Sequence, residues 1–185
     1  MIECEVKLKI EDKKLVKSKL ISLGFVECDS LTETDTYFDN NSSDIRTNDR
    51  ALRIRATVNH TAGNTYCQIN FKDKKLDDKS MSRHEYENEI SDANSMTKIL
   101  NCLGFFPVTP IVKKERIFLH SSLLNACIDT VDGLGDFIEL EAIVATEEEK
   151  EEALDVISGI LDSIGYSMSD TTRTSYLSML QRKDL

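Results

Sequence analysis

Histidine is scarce. Only His60, His84 and His120 occur, far apart in a chain of 185 residues, so a zinc site built from clustered His and Cys has no support. The five cysteines, Cys4, Cys28, Cys67, Cys102 and Cys127, form no C-x-x-C pair and are odd in number. They read as reduced thiols, with Cys4 and Cys127 expected on apolar strand faces. No apolar run approaches the roughly 20 residues that cross a bilayer as a helix. The opening MIECEVKLKI lacks the apolar core of a secretory signal. These absences predict a soluble cytoplasmic protein with no membrane partner. Basic residues are also in deficit, with 23 Lys and Arg against 33 Asp and Glu and a formal net charge of -10. That argues against the basic footprint of a nucleic-acid binder. A local cationic pocket stays open, because net charge does not say where charges point.

What is present suffices for one domain over residues 1–185, since 40% of the residues are hydrophobic and the length allows a real core. Residues 2–10 alternate strictly, which predicts a strand. A helical spacing follows from Asp12 to Leu23, stopped by Gly24. Further strands are expected after Phe25 and over Thr34–Asp39, Ala51–Val58, Tyr66–Lys72, Arg83–Ile90, Val112–Leu119, Asn125–Thr130 and Phe137–Val144. A second helix spans Asp92–Leu103. A third starts at Thr146, where Glu149 three residues on completes a capping box, and runs to Ile164. The tail from Arg173 reads as a short amphipathic helix that packs or closes the fold. The charged connector Asp73–Ser82 fits either a lid or a plain disordered loop. The acidic run 147–152 suits the positive end of a helix and reads as a solvated face. His60 and His120 fall near turns, and His84 reads as packing.

Side chains alternate across a strand, so the charges can be assigned to faces. Glu3, Glu5 and Lys7 share one face, opposite Ile2, Cys4, Val6 and Leu8. Arg53 and Arg55 share another, as do Lys114 with Arg116 and Glu139 with Glu141. Arg83, Glu85, Glu87 and Glu89 form one row, while Lys72 and Asp129 each oppose apolar neighbours. An ordinary antiparallel sheet with one wet face accounts for such rows. Their density and mixed sign also fit a closed sheet, with helices over the apolar faces and the charges turned inward. Buried charge must be paired. A metal–polyphosphate complex would supply partners for both signs, carboxylates holding the metal and Lys and Arg the phosphates.

The segment Glu3-Cys4-Glu5-Val6-Lys7 matches an E-x-E-x-K signature, followed in order by TYFD (36–39), ALRIR (51–55), FK (71–72), SRHEYE (82–87), VKKER (112–116), IDTVDGLGDFIELE (128–141) and RTSY (173–176). Over nearly its whole length the chain resembles the CYTH superfamily, the triphosphate tunnel metalloenzymes. VDGLGDFIELE and the terminal R-x-S-Y are most similar to the class IV adenylyl cyclase branch. Other branches are thiamine and inorganic triphosphatases.

The resemblance implies an α+β fold, a closed eight-stranded antiparallel β-barrel with helices packed outside. It implies two divalent ions, Mg²⁺ or Mn²⁺, held by Glu3, Glu5, Asp129, Glu139 and Glu141, with Glu85 or Glu87 contributing. It implies phosphate binding by Lys7, Arg53, Arg55, Lys72, Arg83, Lys114 and Arg116, with Arg173 a further candidate. The catalytic set so implied is Glu3, Glu5, Lys7, Arg116, Asp129 and Glu139, acting on ATP or another triphosphate, in a homodimer. The sequence departs from the family where Asp73-Lys74-Lys75 follows Lys72 in place of Gly and Pro, where Arg50 replaces a glycine, and where Asn70 replaces a common threonine. These departures bear on substrate choice. Three activities share such a site: cyclisation of ATP with release of pyrophosphate, hydrolysis of a triphosphate, and non-catalytic binding of nucleotide or polyphosphate. The complete acidic set argues against the last.

Overall fold

The alternating segments pair into eight antiparallel strands in the computed structural model, which describes residues 2–41, 45–78 and 80–183. The strands are β1 (Ile2–Lys9), β2 (Val26–Asp39), β3 (Ala51–Asn59), β4 (Asn64–Lys72), β5 (Arg83–Ile90), β6 (Phe106–His120), β7 (Asn125–Val131) and β8 (Gly135–Val144). They close a barrel in the order β1-β5-β4-β3-β2-β6-β7-β8. The two strands expected after Phe25 and at Thr34 are one 14-residue strand. β6 is longer than its apolar alternation suggested, beginning at Phe106.

The helices are α1 (Lys13–Ser22), α2 (Ala93–Cys102), α3 (Glu147–Ile164) and α4 (Tyr176–Lys183). Each of the first three begins where a side chain accepts hydrogen bonds from its orphan N–H groups: Asp12, Asp92 and Thr146. Glu149 reaches back to the backbone N–H of Ala145, one residue before the cap. α3 ends at Gly165, whose φ of 93° is a left-handed conformation that a side chain resists. None of the helices among the described residues is long and apolar enough to cross a membrane.

Parity decides what each barrel face meets. Val6, Leu8, Ile128, Ile138 and Leu140 point outward and join Val16, Leu20, Leu154, Ile157 and Leu161 of α1 and α3 in the main core. α2 covers Phe38, Leu52 and Ile54 through Leu100. α4 behaves differently: its Tyr176 and Leu177 pack with Val112, Val131 and Phe137. By strand parity those three lie on the face of Asp35 and Asp129, so α4 stoppers one end of the barrel from within.

The closure between β1 and β5 is short, consisting of the pairs Ile2–His84 and Glu3–Arg83. Further along β1, its carbonyls are taken by other segments. Met81 N–H donates to Glu5 O at 2.9 Å and Thr172 N–H to Lys7 O at 2.7 Å. Met81 of the connector and Thr172 of the C-terminal segment therefore complete the wall where β5 has ended. Lys150, buried in the acidic first turns of α3, holds the connector through Asp77 at 3.2 Å.

Core truncation gives a direct check. Leu161→Ala removes a fully buried side chain and is expected to cost about 2–5 kcal/mol, read as a lowered urea midpoint. Leu23→Ala, at an exposed position, is expected to change stability by less than about 0.5 kcal/mol.

Candidate active site

The barrel encloses a cavity of about 450 Å³. Its lining carries twelve Lys and Arg against eight Asp and Glu, in a chain whose net charge is -10. Arg46, Arg50 and Arg182 are exposed at its mouth, while deeper in the barrel charges of both signs alternate, with Glu33 and Asp129 buried against its Lys and Arg just behind the lining. β1 contributes Glu3, Glu5 and Lys7, β3 Arg53 and Arg55, β6 Lys114 and Arg116, and β8 Glu139 and Glu141. Lys72, Arg83, Glu85 and Glu87 come from the ends of β4 and β5 that face each other. Glu89, in the same row, is exposed and outside the lining.

Most charges are paired across strands. Arg116 forks onto Asp129 with two 2.7 Å hydrogen bonds and also reaches Glu139. Lys7 lies 2.9 Å from Glu139, its register partner on β8. Lys114 sits 3.0 Å from Glu33 and 3.4 Å from Asp129. Arg55 forks onto its partner Asp35 at 2.7 and 2.8 Å. Burial pushes the Glu33 carboxyl up, but Lys114, Arg55 and Arg116 outweigh it and hold its pKa at about 2. The same contest leaves Asp35 far below its usual value through Arg53 and Arg55, and Glu139 through Lys7 and Arg116. Burial would lower Lys72, but Glu3, Glu5 and Glu85 push it up.

One corner is short of positive charge. Glu5 and Glu141 face each other directly across β1 and β8, an unfavourable arrangement for like charges. Glu5 Oε1 is buried without a hydrogen bond, with Lys7 3.5 Å away and Lys72 3.6 Å from the other carboxylate oxygen. Burial, then Glu3 and to a lesser extent Glu5, raises the Glu141 carboxyl, against a hydrogen bond from Asn125 at 3.1 Å and the charge of Arg116. Burial also raises Glu3, with Glu85 adding to it, although Lys72 stands at 2.5 Å. As they stand, no three His, Cys, Asp or Glu side chains among the described residues are grouped to hold a metal ion, because the other carboxylates are turned to Lys and Arg.

All the residues marked out from the sequence are brought to this barrel, but not to equal positions. Arg83 donates to the backbone carbonyls of Met81, Asp73 and Asp49 at 3.2 to 3.4 Å. Arg173 donates to Ser80 O at 3.0 Å and Asp77 O at 2.7 Å. Both therefore clamp the loops at the mouth. Among the described residues of the connector, Asp77, Ser80 and Met81 are accordingly tied into the wall. Cys127 is also not on an apolar strand face. It is paired with Glu139 in the register and lies near Arg116 and Asp129, because it shares the parity of Asp129. Burial pushes its thiol up.

Three contributors escaped the sequence reading. Glu33 and Asp35 lie on β2, where threonines fill the opposite face, so no apolar row set them off. Tyr176 looked like helix amphipathicity. Its hydroxyl donates to Asp129 at 3.0 Å and its ring lies under Lys7, 4.2 Å from the centroid, with Phe137 edge-on. The RTSY string was its only trace.

Comparison with known proteins gives one consistent result. A family profile described as CYTH domain matches residues 1–176. A Methanocaldococcus jannaschii protein named "Putative adenylate cyclase" is 37% identical over 179 residues, covering 97% of this chain and 98% of that one. The solved PH1819 protein of Pyrococcus horikoshii superposes with a TM-score of 0.87 at 31% identity, over 98% and 99% of the two chains. A Hippeastrum protein, described as a "putative adenylyl cyclase" with a dominant triphosphatase activity, superposes at 0.65 and 18% identity, over 99% and 97%. At that identity the likeness is one of fold.

The paired interior predicts acid lability. Glu33 has a folded-state pKa of about 2, below the ordinary 4.5. Its contribution is complete above pH 4.5 and is lost as pH falls toward 2. Stability measured by urea titration should fall over that window. Glu33→Gln should lower stability at pH 7, on the order of 3 kcal/mol, and flatten the acid dependence.

Proposed function

The chain belongs to the CYTH domain family, whose members act on triphosphates, and we propose that it converts ATP to cyclic AMP and pyrophosphate with the help of divalent cations. The observation that carries the reading is a 450 Å³ barrel cavity whose walls and mouth present twelve Lys and Arg in an acidic chain. Such a cavity calls for a polyanion of several charges. The 37% identical relative and its name support the choice of cyclisation.

The residues fit a divalent ion. Glu3, Glu5, Glu85 and Glu141 offer hard oxygens, and the orphaned Glu5 Oε1 and the raised Glu3 and Glu141 are groups that an added cation would satisfy. Glu87 stands beside them at the mouth. Bound there, divalent ions would neutralise phosphate charge and favour attack at phosphorus. Asp129 and Glu139 hold Arg116, Lys114 and Lys7 in place. Those cations, with Arg53, Arg55 and Lys72, bind phosphate oxygens, the arginines offering forks. Arg83 and Arg173 fix the loops around the entering triphosphate.

In the reaction the ribose 3′-oxygen bonds to the α-phosphorus. The bond from that phosphorus to the α–β bridging oxygen breaks, pyrophosphate leaves, and the hydroxyl proton passes to water. The chain's part is positioning and electrostatic stabilisation of the leaving group. Tyr176 supports Lys7 through its ring and Asp129 through its hydroxyl.

Purified protein incubated with Mg²⁺ or Mn²⁺ and ATP should yield cyclic AMP and pyrophosphate, resolved by chromatography. A Glu3→Gln, Glu5→Gln double variant should lose at least about 100-fold of the rate. Mn²⁺ should raise the thermal midpoint of the wild-type protein and not of the double variant. Orthophosphate released from ATP or inorganic triphosphate, with no cyclic product, would overturn cyclisation in favour of hydrolysis. Absence of both turnover and triphosphate binding would overturn the reading as a whole.

A further inference from the structure

Asn70 occupies a singular place in the barrel. It lies on β4, directly opposite Arg53 of β3 and Glu87 of β5 in the register, and is 1% exposed. Its amide nitrogen donates to Glu85 at 3.2 Å and to Glu87. Carboxylates accept only, so these two partners fix which end of the amide faces them. The amide oxygen is left buried with no hydrogen bond, and so is Nε of Arg53, whose Nη1 is taken by Asp35 at 3.3 Å. Both residues line the cavity.

An unpaired acceptor and an unpaired donor on one cross-strand pair ask for a group that does both. A phosphate oxygen accepts from Arg53 but meets Asn70 as a second acceptor. A hydroxyl accepts from Arg53 Nε–H and donates to Asn70 Oδ1. Leaving such buried groups unmade is costly, and a site built to bond a hydroxyl discriminates against ligands that lack one.

We propose that Asn70 and Arg53 together seat a sugar hydroxyl of the substrate, so that this pair selects a nucleoside triphosphate over inorganic triphosphate. The inference rests on the triphosphate reading above and assigns a specificity-determining role within it. A water molecule in the same seat is the competing occupant.

Binding distinguishes them. Affinities of the wild-type protein for ATP, 2′-deoxy-ATP, 3′-deoxy-ATP and inorganic triphosphate, each with Mg²⁺, are measured by calorimetry. ATP is expected to bind at least about tenfold more tightly than one of the two deoxy forms. In Asn70→Ala, with folding checked by thermal midpoint, that preference should disappear, so that ATP loses more affinity than inorganic triphosphate. Equal wild-type affinity for ATP and both deoxy forms would assign the seat to water and overturn the proposal without using a variant. A uniform loss across all ligands in Asn70→Ala would also overturn it, making the residue part of phosphate binding. Discrimination absent with triphosphate binding intact sinks this inference alone. Failure of the wild-type protein to bind any of the four sinks the triphosphate reading with it.

Discussion

Arg116 and Asp129 meet by two 2.7 Å hydrogen bonds in the middle of the barrel, and the aspartate has no exposure at all. Around them Lys7, Glu139, Lys114 and Glu33 are nearly as buried. Ions taken out of water cost several kcal/mol each unless partners replace the lost hydration. Pairing across strands meets that demand: Lys7, Arg53, Arg55, Lys114 and Arg116 each find a carboxylate on a neighbouring strand. The pairing is tightest around Arg116 and Asp129 and incomplete at Glu5 and Glu141, while Glu3, Glu5 and Glu85 share Lys72. The incomplete corner is where added cations are expected, and the Lys and Arg that line the cavity and its mouth are where a polyanion is expected.

The rest of the architecture keeps this interior closed and correctly set. Helices α1, α2 and α3 take up the outward apolar rows, which leaves the inward rows free to be charged. α4 enters one end, and its Tyr176 puts an aromatic ring against Lys7 and a hydroxyl on Asp129. The wall beyond the short β1–β5 pairing is finished by Met81 and Thr172. Arg83, Arg173 and Lys150 secure those segments. Several of the charges that sequence reading grouped together thus do different work: some face the cavity, and some tie the loops that shape it.

Much of this was legible because period 2 separates faces wherever one face is apolar. IECEVKLK places Glu3, Glu5 and Lys7 on one side without ambiguity, and IELEAIV does the same for Glu139 and Glu141. The rule failed where neither face is apolar. β2 alternates threonine with Glu33 and Asp35, so its site residues were silent and the strand looked like two pieces. It misled at Cys127, a thiol of apolar habit lying in the inward row set by Asp129. Asn70 was visible as an oddity, but not its unpaired oxygen, which depends on Glu85 and Glu87 from another strand.

Sequence by itself determined the strands, the capped helices and the identity of most inward charges, since these follow from local alternation and from side chains within a few residues. It also carried the family resemblance, which rests on strings kept in order along the chain. Only the tertiary structure decided which opposite charges meet, which carboxylates are left wanting a cation, and which arginines turn to backbone carbonyls at the mouth. Those outcomes depend on register between strands distant in sequence and on burial, and the energy of a charge is set by its neighbours in space.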